Sequence, residues 1–513
     1  MTLPTRWRLP LALTVVTFCL SACWALLTPI FHPPDEPEHY DLITALASDA
    51  RYPEYDARGV DPTVDALAQA MLNAGGGSRD PRFGGATPPP ILATANLSDP
   101  PTGQVRPASN QMPQHPPLYY ESMAAAVRTM RLVVPGDRAP SIATEVLFLR
   151  LLNAAIASTI PVAAMASMRL LSTRRTSGLA AGLACLVVPQ FSHISGSINN
   201  DNLMNLLAAW SIVAFLWILR RGLTLRSGAV AGVLVGLAAM TKAFGLIFVL
   251  LLGVVLLLAI VRARDRDRGR TIGAAALGGG VAAVLGGWFW LSNLVTHGSI
   301  APTTFFDRAG TRPPGRPVDD PAWLEHAARS IPERFWLSAA RYSVTFPDVV
   351  WMGLTALGVV LVVAGVVRGI RRGRWIETGV ALAPFALTFA YVIQHAHSIY
   401  VRTTWTSFLQ GRYLFVGLAG LAAVAAIGLP KAPRPWLRRL APLVVLLVQG
   451  AALLVATSTF WGEGSGFTPG VWWRAYGDWS PWSPVLLLLT GLLALAATAA
   501  LVLGATDDHP AHA

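Results

Sequence analysis

The chain has 513 residues, of which 53% are hydrophobic and only 13% charged, and its mean hydropathy is +0.49. A soluble domain carries about 25% charged residues, so composition argues against a soluble enzyme, a disordered chain, a coiled coil or a disulfide scaffold, and fits a polytopic membrane protein. The net charge of +12 is almost entirely arginine, because lysine occurs only at Lys242 and Lys431.

A spanning helix needs about 20 mostly apolar residues. Twelve such segments are predicted, at roughly 9–30, 146–171, 177–197, 203–219, 227–242, 244–261, 271–295, 348–367, 376–396, 413–430, 440–459 and 483–504. The run 227–261 is too long for one span. A hairpin there brings Lys242 to a membrane face, where its ammonium is solvated or paired. The N-terminal Arg6-Trp7-Arg8, the apolar run and Cys23 also resemble a lipoprotein signal, but apolar sequence continues to Ile30 and suits a retained span. Cys19, Cys23 and Cys185 all lie in apolar segments and suggest neither disulfides nor a thiolate metal site.

Charge tests this count through the positive-inside rule. With the N-terminus inside, the predicted cytoplasmic ends hold Arg6 and Arg8; Arg174 and Arg175; Arg220, Arg221 and Arg226; five arginines between 262 and 270; Arg368, Arg371, Arg372 and Arg374; and Lys431, Arg434, Arg438 and Arg439. The expectation is a multi-pass plasma-membrane protein with both termini cytoplasmic. Orientation explains the net charge, so nucleic acid is not an expected partner.

Two outer loops are long, about 31–145 and about 297–347, and gather most of the proline and acid. Segment 73–114 reads as irregular. Segments 119–134 and 322–342 read as interfacial helices.

Four polar clusters follow. Residues 31–40, FHPPDEPEHY, begin where the first span leaves the membrane and hold Asp35, Glu36 and His39. A carboxylate beside hydrocarbon can be tuned as a general base or bind a cation, and an ordinary solvated helix exit is the alternative. Residues 114–120, QHPPLYY, carry His115, Tyr119 and Tyr120 at a helix start, where proline is well placed. Residues 199–202, NNDN, carry Asn200 and Asp201, and Asp201 can instead cap the next helix. Residues 410–413, QGRY, bring Arg412 and Tyr413 to the tenth span. Arg412 as a fork and Lys242 as a point charge suit a phosphate, or else pair with the nearby acids. His395 and His397 are two apart, so a helix sends them to different faces and no metal pair is read there. All four clusters fall on one predicted face. No Walker motif or dinucleotide fingerprint is present.

The acidic pair after the first span, PPLYY, NND, a lysine-bearing hairpin and QGRY resemble the GT-C superfamily of integral-membrane glycosyltransferases. They look most like a bacterial branch of predicted membrane proteins that share a PPDE…H opening, and Glu333-Arg334-Phe335-Trp336 followed by Phe346-Pro347 is similar to that branch too. The resemblance implies an all-α polytopic fold with a catalytic module over 1–430 and a C-terminal transmembrane hairpin over 431–513. It implies a polyprenyl-phosphate sugar donor, and an envelope glycan, glycolipid or protein as acceptor, on the extracytoplasmic face. It matches Asp35 to the base, with Glu36 beside it, and Arg412 and Lys242 to the phosphate. His39, His115, Tyr119, Asn200, Asp201 and Tyr413 are the further substrate-binding candidates. Some relatives carry lysine where this chain has His115, so phosphate binding there is not implied. Some members need a divalent metal and others do not, and the sequence leaves that open. The competing readings are a transporter or flippase for a lipid-linked glycan and a noncatalytic scaffold. A transporter should show an internal repeat and polar residues at the midplane.

Overall fold

The computed structural model describes residues 5–48, 51–55, 57–74, 82–84, 109–133, 140–172, 177–302, 310–339, 342–430, 436–463 and 468–504. Most of loop 73–114 lies outside the described residues, as do Arg174, Arg175, Arg341, Lys431 and Arg434.

Long uncharged apolar runs make the spanning helices, and proline marks many of the starts. α1 (Thr5–Leu27) is followed in the first loop by α2 (Glu36–Ala47) and α3 (Pro62–Ala74). α4 (Leu118–Val133) leads back to α5 (Ile142–Ala157) and α6 (Ile160–Leu171), which together make one long span. α7 (Ser177–Leu186) and α8 (Pro189–Ser195) meet at 72°. Then come α9 (Asp201–Arg221), α10 (Leu225–Ala239), α11 (Gly245–Arg262) and α12 (Asp265–His297). α13 (Asp320–Trp336) lies in the second loop, before α14 (Asp348–Arg371) and α15 (Trp375–Thr403). A 3-10 segment, Gly411–Gly417, runs into α16 (Leu418–Gly428), followed by α17 (Trp436–Trp461), α18 (Pro469–Trp479) and α19 (Pro484–Gly504). Among the described residues the only β features are two isolated bridges, Gly59 with Ser109 and Ala339 with Val344.

Among the described residues ten helices are long and apolar enough to cross a membrane, or eleven if the bent pair is one span. Two of the twelve expected spans differ. Segment 177–197 breaks at Pro189, which lacks the N–H that would continue α7. Segment 227–242 yields only the 15-residue α10, because residues 240–244 form the turn that carries Lys242.

α10 and α12 pack through small residues. Gly228, Gly232 and Gly236 recur every fourth position and face Ala274, Gly278 and Ala282. A Cβ on Gly228 would sit 2.5 Å from the Ala274 carbonyl oxygen. Close backbone approach replaces the hydrophobic drive that lipid does not supply. Gly228→Leu should lower stability by about 1–3 kcal/mol through overpacking, read by thermal unfolding in detergent. An unchanged midpoint would show that these helices part without cost.

Segment 119–134 forms a helix as expected, while in segment 322–342 the helix ends at Trp336, after which Leu337 is extended and Ala339 bridges Val344; each helix has a packed face. α4 buries Tyr119, Tyr120, Met123 and Val127, and lies against α2; α13 buries Trp323, Ala327 and Ile331. One hydrophobic cluster extends from Leu13 to Leu501 and includes residues of α17, α18 and α19. The expected C-terminal hairpin is thus continuous with the rest of the core, and α19 packs along α1.

Candidate active site

The site starts from the turn after α1. Pro33 and Pro34 stop the chain from continuing as helix. Asp35 then takes a left-handed conformation, φ 60°, at the N-terminus of α2, and caps no backbone amide with its side chain. A non-glycine residue there is uncommon, although aspartate tolerates it better than most. The turn sends neighbouring carboxylates in opposite directions. Asp35 lines a cavity of about 300 Å³. Glu36 points into the core.

Glu36 is fully buried against Arg150, with Nε to Oε1 at 2.8 Å and Nη2 to Oε2 at 2.6 Å. Glu36 also accepts from the Phe31 and Ile198 amides. The remaining Arg150 donors reach the carbonyls of Ala25, Thr28 and Pro29. This pair ties the end of α1 to α5 and to the segment before α9. Glu36 was expected beside Asp35 as a catalytic group, and the structure places it behind the cavity with its oxygens taken.

Across the cavity stands Arg412. Its Nη2 donates to Asp35 Oδ2 at 2.7 Å, and its Nε lies 3.9 Å from Asp201 Oδ2. Among the described residues Arg412 Nε and Nη1 and Asp201 Oδ2 have no hydrogen-bond partner. Gly411 allows this placement, because a side chain there would strike the Phe335 backbone. Arg334 steadies the same segment by donating to the Leu409 carbonyl at 2.8 Å. Its neighbour Phe335 packs on Phe415.

The four residues of NNDN divide the work. Asn199 Oδ1 accepts from the Asp201 amide, so Asn199 takes the capping role that was the alternative for Asp201. Asp201 Oδ1 is thereby left to Lys242 Nζ, at 2.5 Å. Asn200 contacts Lys242 Nζ at 3.3 Å and the Tyr120 hydroxyl at 3.4 Å. Asn202 donates to Asn153 and to two backbone carbonyls. Tyr120 in turn meets His39 Nδ1 at 3.0 Å and stacks on its ring.

Burial first pushes the Asp35 carboxyl up, but Arg412, His39 and Lys242 outweigh it and hold the group below the usual carboxylate range. Burial pushes the His39 imidazole down to about 3, so it is neutral near pH 7. His115 lies well below its ordinary value, from burial and then from Lys242. The cavity thus holds the ionised Asp35 carboxylate beside Arg412 and Lys242, with the neutral imidazoles of His39 and His115.

Asp35, His39, His115, Lys242, Arg412 and Tyr413 all line this cavity. Asn200 and Asp201 join it through Lys242. Tyr119 does not line it, being fully buried with its hydroxyl on Asn153 at 3.1 Å. Sequence reasoning missed an aromatic wall of Phe244, Trp290, Tyr391, His395 and Phe408. His395 stacks on Tyr391, while His397 turns away to Asp320 at 2.8 Å, as their spacing requires. It also missed Arg150, whose signal was a lone charge inside an apolar run. Among the described residues no group of three His, Cys, Asp or Glu side chains is placed to hold a metal ion.

Solved structures of similar shape include ArnT from Cupriavidus metallidurans bound to undecaprenyl phosphate, 15% identical over 97% of this chain and 74% of that one, with a TM-score of 0.47. The Archaeoglobus fulgidus oligosaccharyltransferase in its apo form is 12% identical over 96% and 56%, with a TM-score of 0.40. The S. cerevisiae protein O-mannosyltransferase Pmt1-Pmt2 complex bound to the sugar donor is 14% identical over 51% and 34%, at 0.28. Likenesses this distant carry no conclusion about activity. No curated protein matches the chain by sequence. The match that covers most of the chain, residues 18–421, is to the predicted membrane proteins of DUF2142, and the chain belongs to that family.

Proposed function

We propose that the chain is a membrane glycosyltransferase that moves a sugar from a polyprenyl-phosphate donor to an envelope glycan, glycolipid or protein on the extracytoplasmic face. One observation carries the reading. A carboxylate fit to be a base, Asp35, and two cations fit to hold a phosphate, Arg412 and Lys242, share one cavity. The motif resemblance to GT-C enzymes points the same way.

The chemistry balances with these groups alone. Asp35 takes the proton of an acceptor hydroxyl, and that oxygen attacks the anomeric carbon. The bond from that carbon to the phosphate oxygen breaks, and polyprenyl phosphate leaves with the electron pair. Attack opposite the leaving group inverts the centre, so no second carboxylate is needed. Arg412 Nε and Nη1, still without partners, suit the negative charge that grows on the phosphate. Donor phosphate also competes with Asp35 for Arg412. Binding therefore loosens the ion pair and makes Asp35 a stronger base when the donor is present.

The test is transfer by the purified protein from a panel of polyprenyl-phosphate sugars to envelope extract, with products read by mass spectrometry. A glycosylated product supports the reading. Failure with every donor, together with movement of a lipid-linked glycan across liposomes, would replace it by the transporter.

Two predictions follow from Arg412. Lysine cannot reproduce its fork, and a charged hydrogen bond is worth about 1.5–3 kcal/mol. Arg412→Lys should therefore lower kcat/KM for the donor by roughly 10–100-fold, measured in the transfer assay. The second concerns pH. The depressed Asp35 pKa keeps the free enzyme's base ionised above the usual carboxylate value of about 3.9, and activity falls only as pH drops through the lower folded value. The acid limb of kcat/KM, which reports the free enzyme, should lie below pH ~4 in wild type and move upward in Arg412→Gln. An acid limb near neutral pH would assign the base to another group.

A further inference from the structure

A second charged pocket lies at the other end of the membrane helices. α9 runs from Asp201, at the candidate active site, to Arg220 and Arg221. At about 1.5 Å per residue its 21 residues reach across roughly the 30 Å of a bilayer's hydrocarbon core. At the far end, Arg169, Leu170, Arg220 and Arg221 line a pocket of about 270 Å³. Three arginines from two spans line it, and among the described residues no carboxylate does.

The neighbouring charges do not neutralise it. Arg374 adds a further cation within electrostatic reach of Arg220, although its Nη1 is engaged by the Leu170 and Leu171 carbonyls at 3.1 and 3.3 Å. The acid within reach of Arg374 is Glu377, which contacts Arg262 at 3.8 Å. Arg221 rests over the Trp217 ring, 5.7 Å from its centre. Trp217 is 49% exposed and Trp375 64%, and exposed tryptophans are typical of the headgroup level. Membrane orientation needs positive charge near this face, but it does not need three arginines to converge on one hollow.

We propose that this pocket binds the phosphate group of an anionic phospholipid, held by the forks of Arg169, Arg220 and Arg221 on the face opposite the candidate active site. Planar guanidinium groups bind phosphate oxygens in bidentate fashion. A basic hollow between helix ends at headgroup height is suited to a lipid rather than to a soluble anion. The site is separate from the proposed sugar chemistry and stands without it.

The test uses the purified full-length protein, delipidated in neutral detergent and titrated with dioleoyl phosphatidylglycerol or dioleoyl phosphatidylcholine, with bound lipid counted by native mass spectrometry. Wild type should hold phosphatidylglycerol about tenfold more tightly, as several arginines near one headgroup imply. Arg169→Gln/Arg220→Gln/Arg221→Gln should lose that preference. Arg264→Gln/Arg268→Gln/Arg270→Gln, which removes equal charge elsewhere on the same face, should keep it. If the first variant does not fold, Arg220→Gln alone should weaken phosphatidylglycerol about fivefold. Equal loss in both triple variants, or no preference in wild type, would overturn the proposal. Displacement of the lipid by millimolar inorganic phosphate would overturn the lipid assignment and make free phosphate the ligand.

Discussion

Asp35→Asn should lower the rate of sugar transfer by about 10²–10⁴-fold, the usual contribution of a positioned general base, while the protein stays folded. Asparagine tolerates the left-handed conformation at this position, and its side-chain oxygen can still accept from Arg412. The loss would therefore report lost basicity rather than a collapsed turn. The measurement is product formation by folded wild type and variant at equal amounts, with size-exclusion profile and thermal midpoint as folding controls. Wild-type transfer by the variant would remove Asp35 from the base role. Glu36 is poorly placed to replace it, because Arg150 and two backbone amides hold its oxygens. Asp201, whose Oδ2 accepts no hydrogen bond among the described residues, would be the next carboxylate to test.

The buried pair of Glu36 and Arg150 should carry the largest effect on stability. Both side chains have no exposed surface. Removing one partner leaves an uncompensated charge in a medium that solvates it poorly, at about 3–5 kcal/mol. Arg150→Met should therefore lower the thermal midpoint sharply and reduce the yield of folded protein. The double variant Arg150→Met/Glu36→Gln should recover part of the loss, because no charge then remains buried. Partial recovery is the informative outcome. A double variant as unstable as Arg150→Met would place the effect in the Ala25, Thr28 and Pro29 carbonyls that Arg150 also serves. A folded Glu36→Gln that still transfers sugar would show that Glu36 shapes the turn and takes no proton.

The membrane helices were legible because hydropathy is a local property, read within about 20 residues. The two departures from twelve spans have local causes as well. Pro189 breaks one, and the turn that delivers Lys242 shortens another. Counting the spans put Asp35, Glu36, His115, Asp201, Lys242 and Arg412 on one face; Asp35, His115, Lys242 and Arg412 line one cavity and Asp201 joins it through Lys242, whereas Glu36 turns into the core. The aromatic wall escaped notice because Phe244, Trp290, Tyr391 and Phe408 are ordinary residues in apolar sequence. Nothing local says that four distant segments will turn them toward one hollow.

Sequence by itself determined a helical membrane protein with its four polar clusters toward one end of the spans and its short arginine-rich loops toward the other, because apolar length and arginine placement are set residue by residue. Tertiary structure decided which of two adjacent carboxylates faces the cavity. Asp35 and Glu36 are chemically alike and neighbours in sequence. Arg150, 114 residues from Glu36, takes one of them into the core, and the left-handed turn at Asp35 leaves the other facing Arg412. That choice follows from ion pairing across the fold, which no local pattern encodes.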